Sequence, residues 1–179
     1  MVTVVSKDHP MRLYQGRIAP IASAIVKALV SNGDIDTASP KGVEQDVEAV
    51  LKTYVDTERL VNEEARSLMQ SRKLAPHELG RIKRLVAEKK GISIGDETID
   101  YLLDQLAAML MYSEAVDEVF VEDVDLRRRM APILKREMAV DEQLEQETRA
   151  RLGHMQEGTR TWEVEYQRVM EEIRRRKGL

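Results

Sequence analysis

Three sets of side chains in this 179-residue chain have the types and spacing to do chemistry. The first is acidic. Glu114-Ala-Val-Asp-Glu-Val-Phe-Val-Glu-Asp-Val-Asp125 carries six acids and no base. Carboxylate oxygens at that density suit a hard divalent cation such as calcium or magnesium, which would make the segment part of a metal-dependent enzyme. The spacing lacks the central glycine of a calcium-binding loop. A structural role accounts for more of the residues. Glu122, Asp123 and Asp125 stand where a long helix begins, and negative charge there meets the positive end of the helix dipole. Val116, Val119, Phe120 and Val121 are expected to tuck the loop onto the core. Asp117, Glu118, Phe120, Glu122 and Asp123 therefore stand as candidate structural or partner-binding residues rather than metal ligands.

The second set is basic. Arg72, Lys73, Arg81, Lys83, Arg84, Lys89 and Lys90 crowd one stretch, Arg127-Arg128-Arg129 another, and Arg174-Arg175-Arg176-Lys177 the end of the chain. Such clusters attract phosphates. Arg81, Lys83, Arg84, Arg174, Arg175 and Arg176 are the candidate patch for RNA or nucleoprotein. The plainer account is that cations complement the negative ends of helices. No aromatic RNA-binding module is visible. The third set is Trp162 with Tyr166, four residues apart on one side of a helix. They read as core, with a partner-binding hot spot as the alternative.

Other catalytic signatures are absent. His9, His77 and His154 have no second histidine three or four residues away, as a helical metal pair requires. There is no cysteine, hence no disulfide, thiolate ligand or cysteine nucleophile. Gly91-Ile-Ser-Ile-Gly95 lacks the lysine and preceding strand of a phosphate loop, and no serine sits in a GxSxG setting. No catalytic residue, cofactor or metal is assigned. The net charge of −4 argues mildly against a dedicated DNA binder. No apolar stretch approaches the roughly 20 residues of a membrane span. Met1 to Pro10 lacks the apolar run of a signal peptide. A cytoplasmic protein is expected.

These residues need a scaffold, and the composition selects helices. Aromatics are 4% of the chain and charged residues 34%, with Leu, Met, Ala, Glu, Lys and Arg abundant. Apolar residues recur at helical spacing in three successive stretches. The first runs from Leu13 to Val30 and stops at Asn32-Gly33. The second is long, from Lys41 to Arg72. The third carries Leu79, Ile82 and Val86 after Pro76 and stops at Gly91. The same order returns: a short helix with Ile99, Leu103, Leu106 and Leu110, a long one from Val124 to His154, and a last one with Trp162, Tyr166, Val169 and Ile173 ending at Gly178. Gly91-Ile92 and Gly178-Leu179 have the form of a Schellman stop, a left-handed glycine followed by a hydrophobe that folds back. The expectation is an all-α fold of two tandem three-helix repeats from an internal duplication. Residues 1–10 form an extension, 11–92 the first repeat and 93–179 the second, in two lobes or one continuous domain. The short helix covers only part of the long one, so the copies pack on each other or the chain dimerises through its long helices.

Met11-Arg-Leu-Tyr14, Val116-Asp-Glu-Val-Phe-Val-Glu-Asp123 and Glu157-Gly-Thr-Arg-Thr-Trp-Glu-Val-Glu-Tyr166 through Arg176-Lys-Gly-Leu179 resemble the bacterial domain of unknown function 507 (DUF507) family. The resemblance covers the chain from Met11. It implies a bacterial, cytoplasmic protein and marks the acidic loop and the Trp162 segment as family features. It transfers no activity, ligand or catalytic residue. The leading functional expectation is a non-enzymatic interaction or scaffold protein with a protein partner and a candidate homodimer. RNA binding ranks second and a metal-dependent enzyme third.

Overall fold

The computed structural model describes residues 12–156 and 159–177, apart from the side chains of 140–142 and 163. The expected extension at residues 1–10 and the expected stop at Gly178-Leu179 lie outside them. The described chain is all-α: α1 (Ile18–Ser31), α2 (Pro40–Ser71), α3 (Leu79–Lys90), α4 (Thr98–Tyr112), α5 (Asp123–Arg151) and α6 (Arg160–Lys177), with two-residue strands β1 (Ile35–Asp36) and β2 (Glu118–Val119).

Local chemistry accounts for the helix ends. Ser39 opens α2, its hydroxyl accepting the Gly42 N–H at 3.2 Å, and Pro40 fills the first position, where a missing N–H costs nothing. At the end of α3, Gly91 takes φ 74°. The Gly91 N–H reaches the Glu88 carbonyl and the Ile92 N–H the Ala87 carbonyl, both at 3.1 Å, and Ile92 is buried. This is the Schellman stop expected from the sequence. The second long helix ends at Arg151, short of the expected His154. Leu152 already leaves helical geometry there, and its N–H is shared among the last carbonyls of the helix.

Packing joins the two halves crosswise. Within each half the long helix contacts its own neighbours, α2 with α1 and α3, and α5 with α4 and α6. Across the halves, α1 lies on α5 and α4 lies on α2. Each long helix is thus covered by both short helices, which meets the burial requirement read from the sequence. One hydrophobic cluster runs from Leu13 to Met138 and takes fully buried residues from both halves, among them Ile21, Leu29, Leu51, Leu106, Leu126 and Leu134. A smaller cluster of Leu144, Leu152, Val169, Met170 and Ile173 lies between the end of α5 and α6.

The two loops read as irregular pair with each other. β1 and β2 are antiparallel, Ile35 opposite Val119 and Asp36 opposite Glu118. The Asp117 N–H donates to the Asp36 carbonyl and the Phe120 N–H to the Asp34 carbonyl, both at 2.9 Å. Two residues are too few to leave an alternating pattern, so the pairing had no sequence signal.

Candidate functional site

The acidic segment forms the tip of the α4–α5 hairpin. Val116, Val119 and Val121 pack against the main core, as expected. Phe120 does not, and the expectation that it tucks inward is corrected: its side chain is 57% exposed. Extended backbone sends successive side chains to opposite faces, so burying Val119 and Val121 turns Phe120 outward. The N–H of Phe120, held by Asp34, fixes that alternation. Glu122 stands at the N-cap position of α5 without a side-chain capping bond, and Asp123 and Asp125 lie in the first turn. Asp123 pairs with Arg127 at 3.1 Å and Asp125 with Arg128 at 3.3 Å. The Asp117 carboxylate accepts the Ala38 N–H at 2.6 Å and so ties the two loops together. Glu118 lies on β2 and is exposed. Among the described residues, no three His, Asp or Glu side chains are grouped so as to hold a metal ion.

The same tip exposes apolar side chains that sequence reasoning passed over. Tyr112 is 88% exposed and Met111 50%, both in the last turn of α4; Val124 in the first turn of α5 is 59% exposed. Together with Phe120 they occupy one end of a single hairpin. The Arg127–Asp104 ion pair at 2.6 Å joins the two helices about one turn into α5 and two turns before the end of α4. Aromatic and aliphatic residues beside a run of acids were the available signal in the sequence.

The candidate basic residues are divided between two helices, Arg81, Lys83 and Arg84 on α3 and Arg174, Arg175 and Arg176 on α6. Several already face carboxylates. Arg81 pairs with Glu78 at 2.8 Å, and Arg176 and Lys177 both reach Glu147. These cations hold the Glu78 and Glu147 carboxyls below the usual glutamate range. The Arg174 guanidinium lies against Gly16, where an added Cβ would stand 3.3 Å from Nη1. Arg84 and Arg175 are exposed. His77 and His154 are exposed as well, while His9 lies outside the described residues.

Trp162 and Tyr166 stack at 5.0 Å and 27° and pack against the smaller cluster, with Arg149 over the indole at 5.8 Å. This region also receives the segment leading into α1. The Tyr14 hydroxyl donates to Glu145, and burial first, then that carboxylate, pushes the phenol pKa up. Arg17 pairs with Glu137, their side chains only 12% and 15% exposed. Neither contact was legible in the sequence, because each joins residues more than a hundred positions apart.

A crevice of about 360 Å³ opens between α2, α4 and the end of α3. Its polar groups are largely engaged within the protein. The Thr53 and Thr57 hydroxyls donate to the Ala49 and Thr53 carbonyls, and Lys90 pairs with Glu64 at 2.8 Å. The Tyr54 hydroxyl lies 3.1 Å from both the Ser93 carbonyl and the Thr98 hydroxyl, and burial raises its pKa to about 12. No helix among the described residues is long and apolar enough to cross a membrane.

No curated protein matches the chain. The family described as "Protein of unknown function (DUF507)" matches residues 11–179, nearly the full length, and the chain belongs to that family.

Proposed function

We propose that this protein is a non-catalytic protein-binding module that docks a basic amphipathic helix on the tip of its α4–α5 hairpin. One observation carries the reading: Met111, Tyr112, Phe120 and Val124 are each half or more exposed at that single end. Isolated exposed hydrophobes are ordinary, whereas several at one place mark interaction surfaces. Charge selects the occupant. Glu114, Glu118 and Glu122 are exposed beside these side chains and have no ion pair within the described residues. An apolar stripe flanked by Lys and Arg would satisfy both features, and acidic rims raise on-rate and select partner sign.

The reading is joined to a second proposal, that the chain is an internal duplication. A long helix between two shorter ones occurs twice, at 14, 32 and 12 residues and then at 15, 29 and 18. Packing of α1 on α5 mirrors that of α4 on α2. One polar tie recurs at corresponding places in both crossings, Tyr54–Thr98 answering Glu137–Arg17. The two tips differ. Where the second half carries Tyr112, Phe120 and Val124, the first carries Ser31, Thr37 and Lys41. The docking surface belongs to one copy only.

The test uses two designed helical peptides with the same Leu pattern, one flanked by Lys and one by Glu, titrated by fluorescence anisotropy. The basic peptide is expected to bind roughly tenfold or more tightly than the acidic one. Phe120→Ser with Tyr112→Ser should abolish binding while leaving the circular dichroism spectrum intact. Equal affinity for both peptides, no binding, or binding untouched by the double variant would sink the proposal. A second copy of the chain is the competing occupant: a dimer in sedimentation that Phe120→Ser dissociates would replace it.

A further inference from the structure

The turn that ends α1 buries a charge where comparable turns bury a hydrophobe. After α2, Lys73 takes φ 51° and Leu74 follows; after α3, Gly91 takes φ 74° and Ile92 follows. In both, the second residue's N–H returns to the helix, Leu74 to the Met69 carbonyl at 3.0 Å and Ile92 to the Ala87 carbonyl at 3.1 Å. Its apolar side chain then folds back on the last turn. The end of α1 has the same backbone. Gly33 takes φ 71°, its N–H reaches the Val30 carbonyl at 3.1 Å, and the Asp34 N–H reaches the Leu29 carbonyl at 2.9 Å. Here the residue that turns inward is an aspartate. Asp34 is 2% exposed, and no hydrogen bond among the described residues reaches its Oδ2. A carboxylate withdrawn from water requires a cation or several donors. Arg129 of α5 faces it from the other half, Nε to Oδ2 3.4 Å.

The backbone of the same aspartate holds the hairpin tip. Its carbonyl accepts the Phe120 N–H at 2.9 Å, the bond that turns Phe120 outward. The other side-chain ties between the two loops lie farther along. Thr37 Oγ1 donates to the Ala115 carbonyl at 2.5 Å, and the Ala38 N–H donates to the Asp117 carboxylate at 2.6 Å. The Phe120 end of the clasp therefore rests on Asp34, and the Asp34 charge rests on Arg129. Without that guanidinium the carboxylate regains solvation by lifting from the core, and the bond to Phe120 goes with it. The ties at Ala115 and Asp117 and the Asp34 N–H bond into α1 are independent of Arg129, so the opening is local. We propose that Asp34 and Arg129 are positioning residues of the hairpin tip: their buried pair, reaching from one half to the other, sets how Phe120 is presented to a partner. This role rests on the tip being a docking surface, whereas the presentation of Phe120 is measurable with no partner present.

Phe120 is the only Phe in the chain, so incorporating para-fluorophenylalanine gives one fluorine resonance that reports the tip alone. The full chain is compared with Arg129→Gln, Arg129→Lys and the double variant Arg129→Gln with Asp34→Asn. Arg128→Gln, at the neighbouring exposed position, is the control. Arg129→Gln should move the fluorine resonance and speed hydrogen exchange of the Phe120 amide roughly tenfold, with circular dichroism unchanged. Arg129→Lys keeps the cation, and the double variant removes the charge that needs it. Both should return the resonance and the exchange rate to near those of the parent, as the control should from the start. Lost packing at Arg129 would not be repaired by a change at Asp34, so that rescue separates the two roles. Affinity for the Lys-flanked peptide should follow the same pattern, falling roughly tenfold in Arg129→Gln and recovering in the double variant. A parent that binds no peptide refutes the docking reading alone, because the fluorine and exchange data still decide the positioning. The positioning is overturned if Arg129→Gln leaves both signals unchanged, or if Asp34→Asn fails to restore them. It is equally overturned if Arg129→Gln loses its helical spectrum, since the pair would then hold the whole fold.

Discussion

The pairing of Arg17 with Glu137 offers the sharpest check on how the two halves are held together. Both side chains are nearly withdrawn from water, at 12% and 15% exposure. Glu137 also accepts from Arg136 Nε at 3.2 Å, but Arg136 is 67% exposed and contributes as a surface pair does. Replacing Glu137 by Gln keeps the shape and removes the charge that the Arg17 guanidinium faces. Breaking a buried pair from one side costs about 3–5 kcal/mol, and the residual exposure of both partners places this one near about 3 kcal/mol. For a chain of this length that corresponds to a fall in Tm of roughly 6–12 °C. The double change Arg17→Met with Glu137→Leu removes both desolvation penalties and should recover most of the loss, or exceed the parent. Urea unfolding followed by far-ultraviolet circular dichroism measures all three proteins. A loss under about 1 kcal/mol for Glu137→Gln, or a double variant less stable than the single one, would refute the reasoning.

Two further outcomes follow from local geometry. Burial raises the Glu58 carboxyl pKa in the folded state against the opposing pull of Arg12 and Lys83. The folded chain therefore holds a proton that the unfolded chain releases. The resulting stability is full below the ordinary value of 4.5 and is lost as pH rises through the raised value. Glu58→Gln should flatten that decline and be at least as stable as the parent at neutral pH. Urea midpoints across the acid-to-neutral range decide it, and a less stable Gln variant at neutral pH would show that attraction to the cations outweighs burial. At the end of α3, Gly91→Ala meets no atom within 4 Å but must hold φ 74°, so it should cost about 1 kcal/mol by backbone strain alone. Thermal unfolding of Ala and Asn variants reads this directly. Asn should lose less, and an Ala variant as stable as the parent contradicts the assignment.

Much of the helical framework could be read along the chain, because its causes lie within one or two turns. Apolar residues every three or four positions built α1 through α6, Ser39-Pro40 opened α2, and Gly91-Ile92 closed α3. The demand that the halves cover each other also followed from counting apolar surface against the short helices available to bury it.

Tertiary structure decided what that surface meets. Whether α1 lies on α2 alone or also on α5 depends on how the loops return the chain, and periodicity is blind to it. Phe120 has the hydrophobicity of a core residue, yet pairing of β1 with β2 set the alternation that turned it to solvent. Arg12 is unremarkable in sequence, yet folding brought it within 3.9 Å of Glu58, 46 positions away. The physical reason is one of range. Helix propensity, capping and turn geometry act between near neighbours in sequence, whereas burial, ion pairing and exposure are properties of surfaces assembled from distant segments.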